Sequence, residues 1–174
     1  QDMLNKGPKD SIYHKSPSVV GTNTTGILFQ YKNPKFQDVR VRRALSMAID
    51  RVEWDAARYA GEGGGYSVLP VPWPYTHDTR PDLASQGQWY QYNPTEASKL
   101  LQAAGYSATN KLTIDGPVWY IRAEYQQLLQ PMLNKIPELD FKTRVVDNPT
   151  EVQMINDRNF TDTMASTYGP PVYT

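Results

Sequence analysis

One segment, residues 29–51, constrains this chain more than any other, because its residues require a strand end, a turn and a helix in that order. Pro34 breaks the extended run, and Asp38 stands where its carboxylate can accept backbone N–H bonds at a helix start. Val41, Ala44, Leu45, Ala48 and Ile49 recur at helical spacing and predict one apolar stripe over residues 39–49. Arg40, Arg42, Arg43 and Ser46 fall largely off that stripe, and the three arginines read as a solvated, salt-bridged face. Asp50 can end this helix and cap a second one over residues 51–59. Each of these residues has a packing or capping role, and none requires a reaction.

The rest of the chain alternates the two periodicities. Residues 25–31 are rich in β-branched and aromatic side chains and predict a strand ahead of the helix. The cluster Gly61 to Gly65 stops the second helix, and residues 61–92 carry too much Gly and Pro for a regular element. Tyr66, Trp73, Tyr75, Trp89 and Tyr90 argue against free disorder there, since disordered segments are normally poor in aromatics. That stretch is either a loop pinned by its own rings or a rim over a binding cleft, with Trp73 facing the ligand in the second case. Asn93-Pro-Thr-Glu96 is a capping-box helix start, followed by the apolar face Ala97, Leu100, Leu101 and Ala104 and a glycine stop at Gly105. A strand over 111–115 leads into Gly116-Pro-Val-Trp-Tyr120. A helix over 123–136 then buries Leu128, Leu129, Met132, Leu133 and Ile136, with Pro131 inside it. A strand over 139–146 precedes Asn148-Pro-Thr-Glu151, which repeats the earlier start signal letter for letter and opens another helix. A last strand is expected over 162–168.

Composition excludes several classes of function. The chain has 174 residues, enough for one domain that buries roughly 70% of its unfolded surface. Lys plus Arg and Asp plus Glu number 18 each, so no global basic field favours nucleic acid or anionic lipid. No apolar run approaches the roughly 20 residues that span a bilayer, and the first residues lack the apolar centre of a signal peptide. With no cysteine, a disulfide framework, a thiolate nucleophile and a Cys-based metal site are excluded. The two histidines, His14 and His77, have no metal-ligand spacing around them. Gly61 to Gly65 lacks the spacing of a phosphate loop and follows a helix instead of a strand. Asp78 and Asp82 are a generic carboxylate pair, and no G-x-S-x-G marks a hydrolase nucleophile. Neither a cofactor nor a metal is expected.

Binding chemistry is better served. A solute cleft needs aromatic platforms and a few fixed polar groups, and these sit where strands run out into loops. Three places qualify: Gln30 after the first strand, Trp119 and Tyr120 after the second, and Tyr168 after the last.

The order of residues resembles one family. Extracellular solute-binding proteins of family 5, which include oligopeptide and dipeptide receptors of ABC importers, carry a "F-N…P-F-x-D-x-R-V-R-x-A-L-x-x-A-I-D-R" segment. Here it stands as Phe29-Gln30, Pro34, Phe36, Asp38, Arg40 to Arg42, Ala44-Leu45 and Ala48 to Arg51. A second family segment, "Y-[DN]-P-x-x-A-x-x-L-L-x-x-A-G-[YF]", stands as Tyr92 to Tyr106. The tail matches less well, with Asp162 in place but its preceding aromatic displaced to Phe160. The resemblance implies an α/β fold in which a small mixed sheet is flanked by helices, forming one lobe of a two-lobed periplasmic-binding-protein-like receptor. Residues 1–22 are then a crossover segment and residues 23–174 the second, inserted lobe. It implies no catalysis, capture of a solute (a peptide first) outside the cytoplasm, and delivery to an ABC permease. It also implies that a signal or lipid anchor and the remaining lobe lie outside this fragment. Trp119 and Tyr168 fall at cleft-lining positions of the family. Ala165 stands where peptide receptors often carry Arg, which leans toward an oligosaccharide or another uncharged solute as the alternative. From other classes, a small α/β hydrolase and a lobe adapted to protein contact remain as rivals.

Overall fold

The computed structural model describes residues 24–59, 87–120 and 123–168. The expected crossover segment 1–22, the expected loop residues Gly61 to Gly65 and Trp73, both histidines and the pair Asp78 and Asp82 lie outside them. The regular elements are β1 (Thr24–Phe29), α1 (Val39–Met47), α2 (Arg51–Tyr59), α3 (Pro94–Ala103), β2 (Leu112–Trp119), α4 (Ala123–Asn134), β3 (Leu139–Val146), α5 (Asn148–Asp157) and β4 (Thr163–Tyr168).

The strands form two pairs. β1 and β4 run antiparallel from Thr24↔Tyr168 to Phe29↔Thr163. β2 and β3 run parallel from Leu112↔Leu139 to Trp119↔Val146, joined through α4 in a β–α–β crossover. The expected mixed sheet is therefore split in two, and side chains bridge the seam. In β2 alternate residues face β3, beginning with the Leu112 N–H that donates to Glu138 O (2.8 Å). Thr113, Asp115, Pro117 and Trp119 point the other way. There Lys35 Nζ donates to Thr113 O (2.8 Å), the Asp115 N–H donates to Asp162 Oδ2 (2.8 Å), and Thr163 Oγ1 donates to Asp115 O (3.1 Å). Asp162 is buried; its other oxygen accepts from Asn33 Nδ2 (2.9 Å) and pairs with Lys35 (2.7 Å). One carboxylate thus ties the β1–β4 pair and the turn after β1 to the middle of β2.

β2 runs four residues past its expected end. Gly116 and Pro117 have the letters of a break, yet a parallel ladder takes only alternate N–H groups from a strand, and the nitrogen of Pro117 lies on the side away from β3. Gly116 is required by packing, because a Cβ there would stand 2.8 Å from Phe141 Cζ.

The helices follow their caps. Asp38 accepts from the Arg40 N–H (2.8 Å) and starts α1 as expected. The Arg40 side chain hydrogen-bonds the Asp38 carboxylate and holds it below its ordinary pKa, while Arg40 Nη1 donates to Ala103 O (2.6 Å) at the end of α3. α1 stops at Met47, short of Ile49, and Asp50 caps the next helix by accepting from the N–H groups of Val52 (3.1 Å) and Glu53 (2.9 Å). The expected salt-bridged face holds at Arg40, exposed and paired with Asp38, whereas Arg42 and Arg43 are part-buried and hold neighbouring segments. Arg42 donates to the carbonyls of Phe36 and Gln37, and Arg43 stacks 4.2 Å from the Trp89 ring centroid. Arg51 donates to Tyr90 O (3.0 Å) and covers its ring, and burial lowers the guanidinium pKa. The described end of the long loop is thus pinned through two of its rings.

One core unites the parallel pair with α1, α3 and α4. Phe36, Ala44, Leu45 and Ala48 meet Ala97 and Leu101, then Leu112, Ile114, Leu133, Leu139 and Phe141. The alanines at the α1–α3 contact let the two helices approach closely. Gly105 closes α3 with φ 94°, a backbone conformation that favours glycine.

Candidate functional site

In a parallel strand pair, ligands gather outside the carboxyl ends, where side chains leave the ladder and helix N-termini begin. At that end stand Trp119, the last residue of β2, and Tyr120, the next in the chain. Trp119 is half-buried and Tyr120 is 65% exposed. Their rings meet edge to face, with centroids 5.6 Å apart and planes at 82°. Val145, near the end of β3, is 62% exposed. The two aromatic rings form an apolar surface with polar handles at this open end, while Val145 pairs with Val118 and so faces the other side of the strand pair from Trp119.

A residue not singled out in the sequence fixes this end. Glu151, in the first turn of α5, is buried, and its Oε1 accepts the Trp119 N–H (3.0 Å). Asn148-Pro-Thr-Glu151 reads as a capping box in which Asn148 is the cap and Glu151 reaches back to it. The cap is instead Asp147, which accepts the Thr150 N–H (2.7 Å), so Glu151 lies one position deeper in the helix and turns inward. The Asp before the tetrapeptide was the available signal. Hydrogen bonding from the Thr150 side chain, and then from its backbone N–H, holds Asp147 below its ordinary pKa.

The remaining expected site residues are placed differently. Gln30 lies beside Asp162, with its backbone N–H on Asp162 O (2.8 Å). Its Nε2 donates to the carbonyls of Arg158 (2.6 Å) and Phe160 (3.2 Å). Because β1 and β4 are antiparallel, Gln30 follows the end of the pair opposite Tyr168, about 20 Å away at ~3.3 Å per residue. Gln30 and Tyr168 are therefore not side by side. Tyr168 ends β4, and the position of its side chain is outside what is described. Trp73 also lies outside the described residues. Trp119 and Tyr120 are the pair that the structure brings together.

Two other polar features are notable. A shallow groove lined by Pro94, Ser98, Lys99, Gln102 and Lys135 lies on the helix side, near the start of β3. Beside it, the buried Glu138 accepts from Ser98 Oγ (2.9 Å) and Gln102 Nε2 (2.7 Å). Burial acts to raise its pKa, but these hydrogen bonds outweigh it and keep the group below its ordinary value. Gln126, on the inward face of α4 one turn before Leu129, is 2% exposed, and its Oε1 has no hydrogen-bond partner among the described residues. Among the described residues no group of three or more His, Asp or Glu side chains could hold a metal ion. No described helix is long and apolar enough to cross a membrane.

The chain is similar in sequence and in fold to several known proteins. The periplasmic oligopeptide-binding protein OppA of Escherichia coli is 35% identical over 89 residues, 48% of this chain and 15% of OppA. The solved oligopeptide-binding protein AppA of Bacillus subtilis, in complex with a nonapeptide, superimposes with TM-score 0.72 at 22% identity. That match covers 89% of this chain and 32% of AppA. NikA of Staphylococcus aureus, in complex with Ni(L-His)2, superimposes with TM-score 0.67 at 23% identity, covering 86% of this chain and 30% of NikA. The two structures establish the fold, and this chain spans a third or less of each of these proteins. The family model for bacterial extracellular solute-binding proteins, family 5 Middle, matches residues 2–172, and the chain belongs to that family.

Proposed function

We propose that this chain is the inserted lobe of a two-lobed receptor that captures a peptide outside the cytoplasm and presents it to an ABC permease. The observation that carries this reading is the full-length pairing of the first and last described strands, Thr24↔Tyr168 to Phe29↔Thr163. It brings both chain connections of the unit to one edge, as an insertion between two parts of a second lobe requires. Trp119 and Tyr120 form this lobe's wall of the cleft, and Tyr168 and Trp73 extend it. Gln30 contributes by holding the turn between α5 and β4 in place. The solute is held by aromatic contact and released unchanged, so no reaction takes place. Closure of the second lobe over the bound solute signals occupancy to the permease.

A peptide is the first choice because two of the similar proteins are oligopeptide-binding and one was solved with a nonapeptide. Ala165 on β4, together with the edge-to-face ring pair, favours an oligosaccharide or another uncharged solute as the second reading. The test is native mass spectrometry of the intact receptor purified from its host without denaturation. A family of copurified peptide masses is expected. A single sugar mass would replace the peptide reading with the second, and an empty receptor that also fails to take up either class would overturn both.

A further inference from the structure

We propose that Glu151 is a positioning residue for the solute: its carboxylate fixes the last N–H of β2 and thereby the orientation of the Trp119–Tyr120 pair. This inference rests on the reading of those rings as a cleft wall. The argument begins at the edge of β2 that faces away from β3. Along it the N–H groups alternate with those of the ladder, and acidic side chains take two of them, Asp162 at Asp115 and Glu151 at Trp119. Between these two anchors lies Pro117, which has no N–H to offer. From Asp115 onward the outer edge of β2 is therefore held by Asp162 and then by Glu151. Beyond Trp119 the chain leaves the strand and exposes Tyr120.

A hydrogen bond to a carboxylate is shorter and stronger than one between neutral groups. Glu151 sits in the first turn of α5, where the helix dipole favours an anion. It is 1% exposed, and a buried carboxylate is retained only where hydrogen bonds compensate its desolvation. The Trp119 backbone is thus clamped from a second element, and its ring can turn only about its side-chain torsions. A ring surface held this way is preorganised, so a solute does not have to order it on binding.

The experiment uses the intact receptor as native protein and as Glu151→Gln, Glu151→Leu and Trp119→Ala. Two quantities are measured: deuterium exchange at the Trp119 amide, and retention of a defined pool of tripeptides to hexapeptides read by mass spectrometry. Gln keeps an acceptor oxygen, so Glu151→Gln should protect the amide and retain peptide within about threefold of native. Leu keeps the volume without an acceptor, so Glu151→Leu should lose protection at Trp119 and weaken retention by about tenfold or more. Native retention by Glu151→Leu, alongside loss in Trp119→Ala, would overturn the positioning role and leave the cleft wall standing. Native retention by Trp119→Ala would instead overturn the cleft wall, and the proposal with it. Should Glu151→Leu fail to fold, Glu151→Gln decides alone: peptide lost while Trp119 stays protected would contradict the proposal.

Discussion

The same four letters, Asn-Pro-Thr-Glu, open α3 and α5, and the two copies do different work. At α3 the cap is Asn93, which accepts the Glu96 N–H (3.0 Å), and the Glu96 side chain is exposed beside Lys99. At α5 the cap moves back to Asp147, the helix begins at Asn148, and Glu151 goes into the interior to hold β2. The difference lies in the residue before each copy. Tyr92 cannot accept a backbone N–H at a helix start, whereas Asp147 can and carries a charge that suits the positive end of the helix. A shift of one residue turns a helical side chain by about 100° at 3.6 residues per turn. That rotation separates a surface glutamate from a buried one, so a local motif can be read correctly as a helix start while the fate of its last residue is set next door.

The largest expected contrast is between the two glutamates. Glu151→Ala removes the carboxylate that accepts the part-buried Trp119 N–H and should cost about 2 kcal/mol in chemical denaturation. Glu96→Ala should stay within about 0.5 kcal/mol, because an exposed ion pair contributes little. Equal losses would mean that the two copies are equivalent and that the buried hydrogen bond is worth no more than a surface pair.

A smaller contrast separates the two asparagines. Asn93→Ala removes a cap and should cost about 1 kcal/mol. Asn148→Ala lies inside the first turn of α5 and should leave the melting temperature nearly unchanged. A larger loss at Asn148 than at Asn93 would reassign the α5 cap.

The smallest contrast is in pH. Asp147 has a folded pKa below its ordinary value, so its cap contributes fully above the unfolded value of about 3.9 and is lost as pH falls through the folded one. Asn93 does not titrate. Between about pH 4 and pH 2 the Thr150 amide should lose exchange protection before the Glu96 amide does, relative to their protection at pH 7. Parallel loss at both amides would show that Asp147 is not the acid-sensitive cap.

How much was legible in the sequence depends on whether local chemistry or long-range pairing decides a feature. The Asp38 and Asp50 caps, the bounds of α2 and β3 and the glycine stop of α3 follow from side chains near in sequence, and they appear where the letters place them. The length of β2 was not readable, because Gly116 and Pro117 make sense only once Phe141 and the parallel ladder are in place. The split of the sheet rests on Asp162 and Thr163 meeting Asp115 across 47 and 48 residues, which no local pattern announces. At the candidate site, Trp119 and Tyr120 were visible as aromatics after a strand. Glu151 was hidden behind a capping signal that already explained it, and Gln126 behind a stripe defined only by its apolar members. The separation of Gln30 from Tyr168 followed from the antiparallel β1–β4 register, which two strands far apart in sequence cannot reveal alone.

The central claim is that this chain supplies one wall of a cleft and that tight binding needs the second lobe, since a small solute is normally held with about 70–90% of its surface covered. Titration calorimetry of the tripeptide-to-hexapeptide pool into this chain alone and into the intact receptor tests it most directly. The account predicts saturable heat with the receptor and none at micromolar concentration with the chain. Micromolar binding by the chain alone would contradict it, because a complete site would then lie within these 174 residues.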